Sequence, residues 1–348
     1  PAFRDTTCPV CGGHAVREMD TMDTFVCSSW YFLRFCDAHN PHEAFSKQAA
    51  DFWMPVDQYI GGVEHAILHL MYARFFVKVF HDLGLCDADE PFTNLLTQGM
   101  VLKDGSKMSK TKGNVVSPEE IINRFGADTA RLFILFAAPP ERDLEWNDTA
   151  VEGCSRFLNR IWRIFIAVAD LGGQDEQMPA ELNEADKNLR RVAHGTVKKV
   201  GDDIAARFQF NTAISAIMET VNALDDYLES AAPKPAVANE TAELLNRLIA
   251  PFAPHIAEEL WQQRGHTGSI HRQSWPEYDE QALEQDTVEI VVQLNGKIRA
   301  RIVTPAALGK NELTALIQDD ARFSEWCDGK EPFKMIAIPG TLVNIVVK

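Results

Sequence analysis

The sequence predicts a multidomain chain: the second half of an α/β Rossmann-like nucleotide-binding domain over residues 1–136, an all-α helical bundle over 137–275, and a small α+β domain over 285–348. Three observations predict this order. Residues 20–136 alternate short apolar runs with helical stretches, the rhythm of strand–helix units. Residues 150–265 carry helical periodicity with few strand signals, and beyond a linker at 274–284 two apolar-alternating runs flank Asn295-Gly296, a pair that favours a type I′ hairpin turn.

Taken in order, the chain begins with Cys8-Pro-Val-Cys11-Gly-Gly, a turn that offers two thiolates to zinc. Zinc takes four ligands and no second Cys-x-x-Cys follows. His14 is a candidate third ligand, while Cys27 and Cys36 lie in apolar segments that read as core, so a zinc-free knuckle is the favoured reading and no metal site is assigned. Residues 58–62 read as a strand ending at Gly61-Gly62, and 63–83 as a helix. Glycines at such a junction let a nucleotide approach the backbone. His65 and His69 lie four apart, which puts both on one helical face. That spacing also suits a metal, but His-Glu-x-x-His is absent.

The segment Lys107-Met108-Ser109-Lys110-Thr111-Lys112-Gly113-Asn114 precedes a legible helix start, with Ser117 as cap, Pro118 in the first turn and Glu120 closing a capping box. Its lysines therefore sit on a loop. Lysine is a mobile point charge that can follow a phosphoryl group as charge develops on it, so the loop suits polyphosphate chemistry. An isolated Lys-x-Ser-Lys would more often be a solvated turn.

In the bundle, breaks fall at Gly172-Gly173 and across 231–238. A helix over 183–200 aligns Lys187, Arg190, His194 and Lys198, and Arg156, Arg160 and Arg163 align on an earlier helix; such stripes either meet nucleic acid or are exposed faces paired with nearby acids. In the last domain, strand alternation throws Lys297, Arg299 and Arg301 onto one face, a helix spans 312–327, and strands at 335–338 and 342–347 flank Pro339-Gly340. A basic row of this kind either meets a phosphate backbone or protects an edge strand.

Composition narrows the class. At 348 residues with 46% hydrophobic and 24% charged content, the chain is long enough for two or three cores and is not disordered. The longest apolar run, 132–138, is too short to span a bilayer, and the first residues lack a signal pattern; a cytoplasmic location is expected. A net charge of −16 argues against indiscriminate nucleic-acid binding. Seven scattered cysteines indicate reduced thiols.

Several segments together carry a resemblance. Residues 107–111 match the KMSKS loop of class I aminoacyl-tRNA synthetases with threonine for the last serine; Met54-Pro55-Val56-Asp57-Gln58-Tyr59-Ile60-Gly61-Gly62-Val63-Glu64-His65, Leu96-Thr97-Gln98-Gly99-Met100-Val101 and Gly126-Ala127-Asp128-Thr129-Ala130-Arg131-Leu132 extend it. Together they resemble bacterial leucyl-tRNA synthetase ahead of the valyl and isoleucyl enzymes. The HIGH signature and the editing domain of that family are not matched, so the resemblance implies the C-terminal part of the enzyme, catalytically incomplete without an N-terminal catalytic half.

The resemblance further implies ATP, with Mg2+ carried on it, at Gly61, Gly62, Glu64, Met100, Val101, Lys107, Met108, Ser109 and Lys110, with Lys107 and Lys110 catalytic. It implies leucine at Phe25, Ser28, Tyr31, His65 and His69, with Cys27 where relatives commonly carry aspartate. The partner is tRNA(Leu), with the bundle in place of the anticodon-binding domain and the last domain gripping the outer corner of the tRNA. The rival reading is a noncatalytic tRNA-binding module or subunit of a split synthetase.

Overall fold

The polar loop 107–117 and the glycine-ended strand before it are held in place by short elements, each with a local cause. The structure, a computed structural model, describes residues 3–284 and 287–347. Residues 1, 285 and 348, which bound two of the expected domains, lie outside the described residues. The chain divides into two units, residues 3–163, 200–218 and 249–272, and residues 164–199, 219–248 and 273–347.

The first unit opens with a hairpin of β1 (Asp5–Thr7) and β2 (His14–Val16). Helix α1 (Thr24–Ser28) is capped by Asp23, whose carboxylate accepts from Phe25 N–H at 2.8 Å. α2 (Tyr31–Cys36) and α3 (Lys47–Trp53) follow. β3 (Val56–Gly62) runs parallel to β4 (Phe92–Gln98), with α4 (His69–Asp82) in the crossover. Phe32, Leu33, Phe45, Ala50, Ala73 and Val77 form the core beneath this pair.

The helix expected over 63–83 is interrupted. Val63–Ala66 forms a single 3-10 turn, and Leu68, at φ −89° and ψ −95°, breaks the path before α4 begins. No glycine or proline signals this break. Cys27, expected in the core, is exposed, and Cys36 is half-buried. On the short α1, Phe25, Ser28 and Ser29 share the inward face at i, i+3 and i+4, which leaves Cys27 outside.

β5 (Val101–Lys103) pairs antiparallel with β6 (Ser106–Lys107) and parallel with β7 (Leu144–Glu145). Gly99 permits the second pairing. A Cβ there would lie 2.2 Å from the backbone carbonyl of Arg142. α5 (Pro118–Phe125) starts where expected, with Ser117 at the N-cap and Pro118 in the first turn, but the Ser117 hydroxyl makes no capping bond. Glu119 and Glu120 supply the negative charge that the helix start favours.

α6 (Ala127–Ala137) then presents Asp128, a buried carboxylate, to the start of α11 (Pro254–Gln263). It accepts from His255 N–H at 3.3 Å, Ile256 N–H at 2.7 Å and the His255 ring at 2.7 Å, and so caps a helix that has no cap of its own.

The long helices are α7 (Asp148–Leu171), α8 (Glu184–Arg207), α9 (Phe210–Leu228) and α10 (Pro235–Ile249). Their buried residues keep helical spacing, as with Val151, Cys154, Leu158 and Ile161 in α7. Within the second unit, Tyr227 and Lys234 both bond the fully buried Asp186, at 2.7 and 2.8 Å. Burial pushes that carboxyl up, but the hydrogen bonds from Lys234 and Tyr227 outweigh it and hold the carboxyl below its ordinary range.

A short α12 (Glu280–Leu283) precedes the sheet of β8 (Thr287–Leu294), β9 (Lys297–Pro305), β10 (Pro332–Ile338) and β11 (Leu342–Val347), ordered β10-β11-β8-β9. The Asn295-Gly296 turn takes the expected left-handed conformation, with φ 49° and 82°. The helix expected over 312–327 is two, α13 (Lys310–Asp319) and α14 (Phe323–Trp326), because Asp320 turns extended and bonds the Arg322 backbone and guanidinium. Ile290, Val292, Leu313, Ile317, Trp326 and Ile345 fill the core between sheet and helices.

Candidate active site

β3 and β4 end side by side, with Gly61 opposite Thr97 and Gly62 opposite Gln98. The carboxyl ends of parallel strands are where such sheets take ligands. Gly61 and Gly62 are therefore at the rim, and Met100 and Val101 lie just past the neighbouring strand. Glu64, in the 3-10 turn, folds back over Gly62 so closely that a Cβ on Gly62 would stand 2.5 Å from its carboxylate. From the other sheet, the Lys107 ammonium comes to 3.9 Å from the same carboxylate. Both are exposed, so the pair contributes at most about 1 kcal/mol. What it fixes is position.

Met108 and Ser109 are half-buried and Lys110 is exposed. Ser109 caps a one-turn 3-10 helix, Lys110–Lys112, by accepting from Lys112 N–H at 3.2 Å. The loop thus brings the Lys107 ammonium to the glycine rim and leaves Lys110 exposed on the turn that follows.

A second cluster forms around Tyr59, which lies in the resembling segment 54–65 but is assigned no role there. The Tyr59 hydroxyl stands 2.7 Å from His69 Nε2 and 3.0 Å from the Tyr31 hydroxyl, and its ring stacks on Phe92 at 3.8 Å. His69 is buried, and its Nδ1 makes no hydrogen bond among the described residues. Burial, then the neighbouring His65, holds His69 below the ordinary histidine value. Burial, then the Tyr31 hydroxyl, raises Tyr59.

His65 and His69 meet edge to face at 6.1 Å despite the break between them. Phe25 stacks on Tyr72 at 5.9 Å, and Ser28 donates to the Phe25 carbonyl at 3.2 Å. The five expected pocket residues thus fall into a Tyr31–His65–His69 group and a Phe25–Ser28 pair on α1. Two signals point to Tyr59: its place in the segment 54–65 and its position two residues before Gly61, on the same side of β3.

In the 183–200 stripe, Arg190 and His194 are paired with acids, one of the two readings its sequence leaves open, but His194 is buried and Arg190 largely so, not exposed. Arg190 grips Glu240 at 2.7 and 3.0 Å and Asp279 at 3.0 Å, and is largely buried. His194 accepts from Asp279 N–H at 3.1 Å, and its Nε2 lies 3.3 Å from Glu240. These two face acids, not solvent. Lys198 lies over the Tyr278 ring at 5.7 Å.

On β9 a bulge intervenes. Lys297 pairs with Leu294 and Ala300 with Val292, so Arg299 is the extra residue, and Lys297 and Arg301 fall on opposite faces. Arg299 pairs with Asp328 at 2.6 Å and Arg301 with Glu289 at 2.7 Å.

At the amino end, the Cys8 thiol is held below its ordinary value by the backbone N–H groups of Cys11 and Val10. Cys8 and Cys11 offer two of the four donors that a structural zinc takes. No group of three or more His, Cys, Asp or Glu stands together among the described residues, and His14 faces Asp5 at 4.0 Å. All seven cysteines are free, and no described helix is long and apolar enough to cross a membrane.

Residues 11–147 match the family model described as tRNA synthetases class I (I, L, M and V), and residues 186–313 the anticodon-binding domain of tRNA ligase. The crystal structure of the ternary complex of Agrobacterium radiobacter agnB2 LeuRS with tRNA and LeuAMS is similar over 100% of this chain, at 36% identity and TM-score 0.84. The chain belongs to the class I aminoacyl-tRNA synthetases.

It spans 45% of that LeuRS. Two structures of Mycobacterium tuberculosis methionyl-tRNA synthetase with methionyl-adenylate share the fold. One, at 20% identity and TM-score 0.53, covers 73% of this chain and 51% of its own; the other, at 19% and 0.55, covers 75% and 52%.

Proposed function

We propose that this synthetase chain serves the ATP-dependent ligation of leucine to tRNA(Leu) through leucyl-adenylate, acting with a HIGH-bearing segment that supplies the rest of the ATP site. The observation that carries the reading is the meeting of Lys107 with Glu64 at the glycine rim, in a chain 36% identical along its whole length to a leucyl enzyme.

In the first step a leucine carboxylate oxygen attacks the α-phosphorus of ATP and pyrophosphate leaves. In the second a terminal ribose hydroxyl of the tRNA attacks the acyl carbon and AMP leaves. Neither step needs an enzyme nucleophile. Catalysis rests on positioning and on charge stabilisation, to which Lys107 and Lys110 contribute as the triphosphate's charge redistributes. Met108, Ser109, Met100 and Val101 line the nucleotide, and Gly61-Gly62 lets it approach the strand ends. Magnesium enters with the triphosphate, held largely by phosphate oxygens and water. Tyr31, His65 and His69, with Phe25 and Ser28, form the leucine side-chain pocket.

The test is ATP–pyrophosphate exchange with leucine, isoleucine, valine and methionine in turn, on this chain alone and on this chain supplemented with the HIGH-bearing half of a leucyl synthetase. Leucine-selective exchange on supplementation is expected. Exchange driven best by another amino acid overturns the specificity. No exchange in either case, with tRNA binding intact, favours a noncatalytic tRNA-binding module.

A further inference from the structure

The loop bearing Lys107 and Lys110 is built around the side chain of Asn114. Leaving β5, the chain turns at Asp104-Gly105, both left-handed at φ 55° and 69°, and returns along β6. Ser109 is extended at φ −150°, the 3-10 turn follows, and Gly113 is left-handed at φ 67°. Asn114 is the next residue, and its carboxamide lies inside the path just traced.

Asn114 Oδ1 accepts from Ser109 N–H at 2.9 Å. Its Nδ2 stands 3.2 Å from the Lys103 carbonyl, and 3.4 Å from the Ser106 carbonyl, the Ser106 hydroxyl and the Lys107 carbonyl. An amide nitrogen has two hydrogens, so two of these four acceptors are served at once, and Lys103 has the shortest approach. One side chain therefore ties the hairpin on one flank of the loop to the backbone at its centre. Lys112 N–H in turn donates to the hydroxyl of Ser109, the residue that Asn114 holds.

We propose that Asn114 is the positioning residue of the phosphate-binding loop: by clasping Ser109 to the β5–β6 hairpin, it fixes the backbone from which Lys107 and Lys110 reach a polyphosphate. The inference rests on the polyphosphate reading of the loop. It follows from the entropy of binding. Each ammonium group stands on a rotamer-rich stem, and holding stem and backbone together costs more than holding the stem alone. A loop fixed beforehand leaves only the stems to order. Asn114 acts through the loop, since its partners are the backbone of Lys103, Ser106, Lys107 and Ser109 and the Ser106 hydroxyl.

Asn114→Ala removes every tie that the carboxamide makes. Asn114→Asp keeps the acceptor for Ser109 N–H but sets a second carboxylate oxygen against the carbonyls of Lys103 and Lys107, so it must also fail if the donor side matters.

The experiment measures amide hydrogen exchange at Ser109 and Lys112 in the whole 348-residue chain and both variants. It also titrates each with magnesium pyrophosphate by amide NMR shifts. Both variants are expected to speed exchange at these amides, and to weaken pyrophosphate about tenfold, with exchange in β3, β4 and α4 unchanged. Unchanged exchange at Ser109 in Asn114→Ala overturns the clasp. Faster exchange with unaltered pyrophosphate affinity overturns the positioning role and leaves the polyphosphate reading standing. Failure of the parent chain to bind pyrophosphate, with Ser109 protected, overturns the polyphosphate reading and the role with it.

Discussion

The hydroxyl of Tyr59 stands 2.7 Å from Nε2 of His69, joining a strand residue to the first residue of α4 across the irregular turn between them. Tyr31 extends the chain from α2 at 3.0 Å. Three elements separated in sequence thus share one hydrogen-bonded line, and the fold holds it by burying His69 and stacking the Tyr59 ring on Phe92. His65 meets His69 edge to face although Leu68 breaks the helix that sequence spacing predicts.

Tyr59→Phe keeps the stack and removes the hydroxyl. Leaving a buried partner unsatisfied costs about 1–3 kcal/mol, so in the supplemented enzyme the KM for leucine should rise about tenfold or more while that for ATP stays within about twofold. Steady-state exchange kinetics checks this. Equal effects on both substrates would place the line outside the leucine pocket.

What the sequence made legible is local chemistry. The Asn295-Gly296 turn, the glycine-ended strand and the start of α5 all follow from residues within a few positions of one another. What it hid depends on distant partners. The stripe of Lys187, Arg190, His194 and Lys198 looks like an exposed face because helical spacing says nothing of Glu240, 50 residues from Arg190, or of Asp279, 89 residues away. The β9 bulge is likewise invisible, since an alternating pattern carries no sign of the partner strand's register. Tyr59 is ordinary strand sequence until His69 is brought to it.

Lys110→Ala, in the supplemented enzyme, removes one phosphate-directed charge and should slow adenylate formation by about two orders of magnitude, near 3 kcal/mol. Leucine binding should be nearly intact. Single-turnover adenylate synthesis measures the first and equilibrium dialysis the second; an unchanged rate would take Lys110 out of the phosphate-binding role.

Arg190→Met should destabilise the chain by about 3 kcal/mol, because it leaves Glu240 without its bidentate partner. Burial raises the Glu240 carboxyl, but hydrogen bonds from His194 and Arg190 outweigh it and hold it down to about 2. A carboxyl lowered in the folded state gives stability that is present above its unfolded value, about 4.5, and lost as pH falls towards 2. The difference in urea midpoint between parent and variant should therefore be full at neutral pH and shrink below about 4.5. A constant difference down to about pH 3 would mean that Glu240 is not the group penalised.

Asp128→Ala takes the cap from α11 and should cost about 1–2 kcal/mol. Asp128→Asn retains one acceptor oxygen and should lose less. Urea midpoints for the pair rank them; equal losses would assign the effect to the carboxylate charge at the helix start and not to the hydrogen bonds.

The last expectation concerns tRNA and the edge strand β9. Arg299 and Arg301 already hold Asp328 and Glu289, so each must give up an acid to meet a phosphate. If they do, Arg299→Gln with Arg301→Gln should flatten the slope of log affinity against log salt by up to ~0.9 per contact, because each cation set on a phosphate releases condensed counterions. Glu289→Gln with Asp328→Asn should act oppositely, freeing both guanidiniums and tightening binding most near ~50 mM salt. Arg190→Gln should leave the slope alone, since that side chain stays committed to Glu240 and Asp279. Binding curves from ~50 to 200 mM that overlay the parent's for both β9 doubles would show that the row serves only to keep an edge strand soluble.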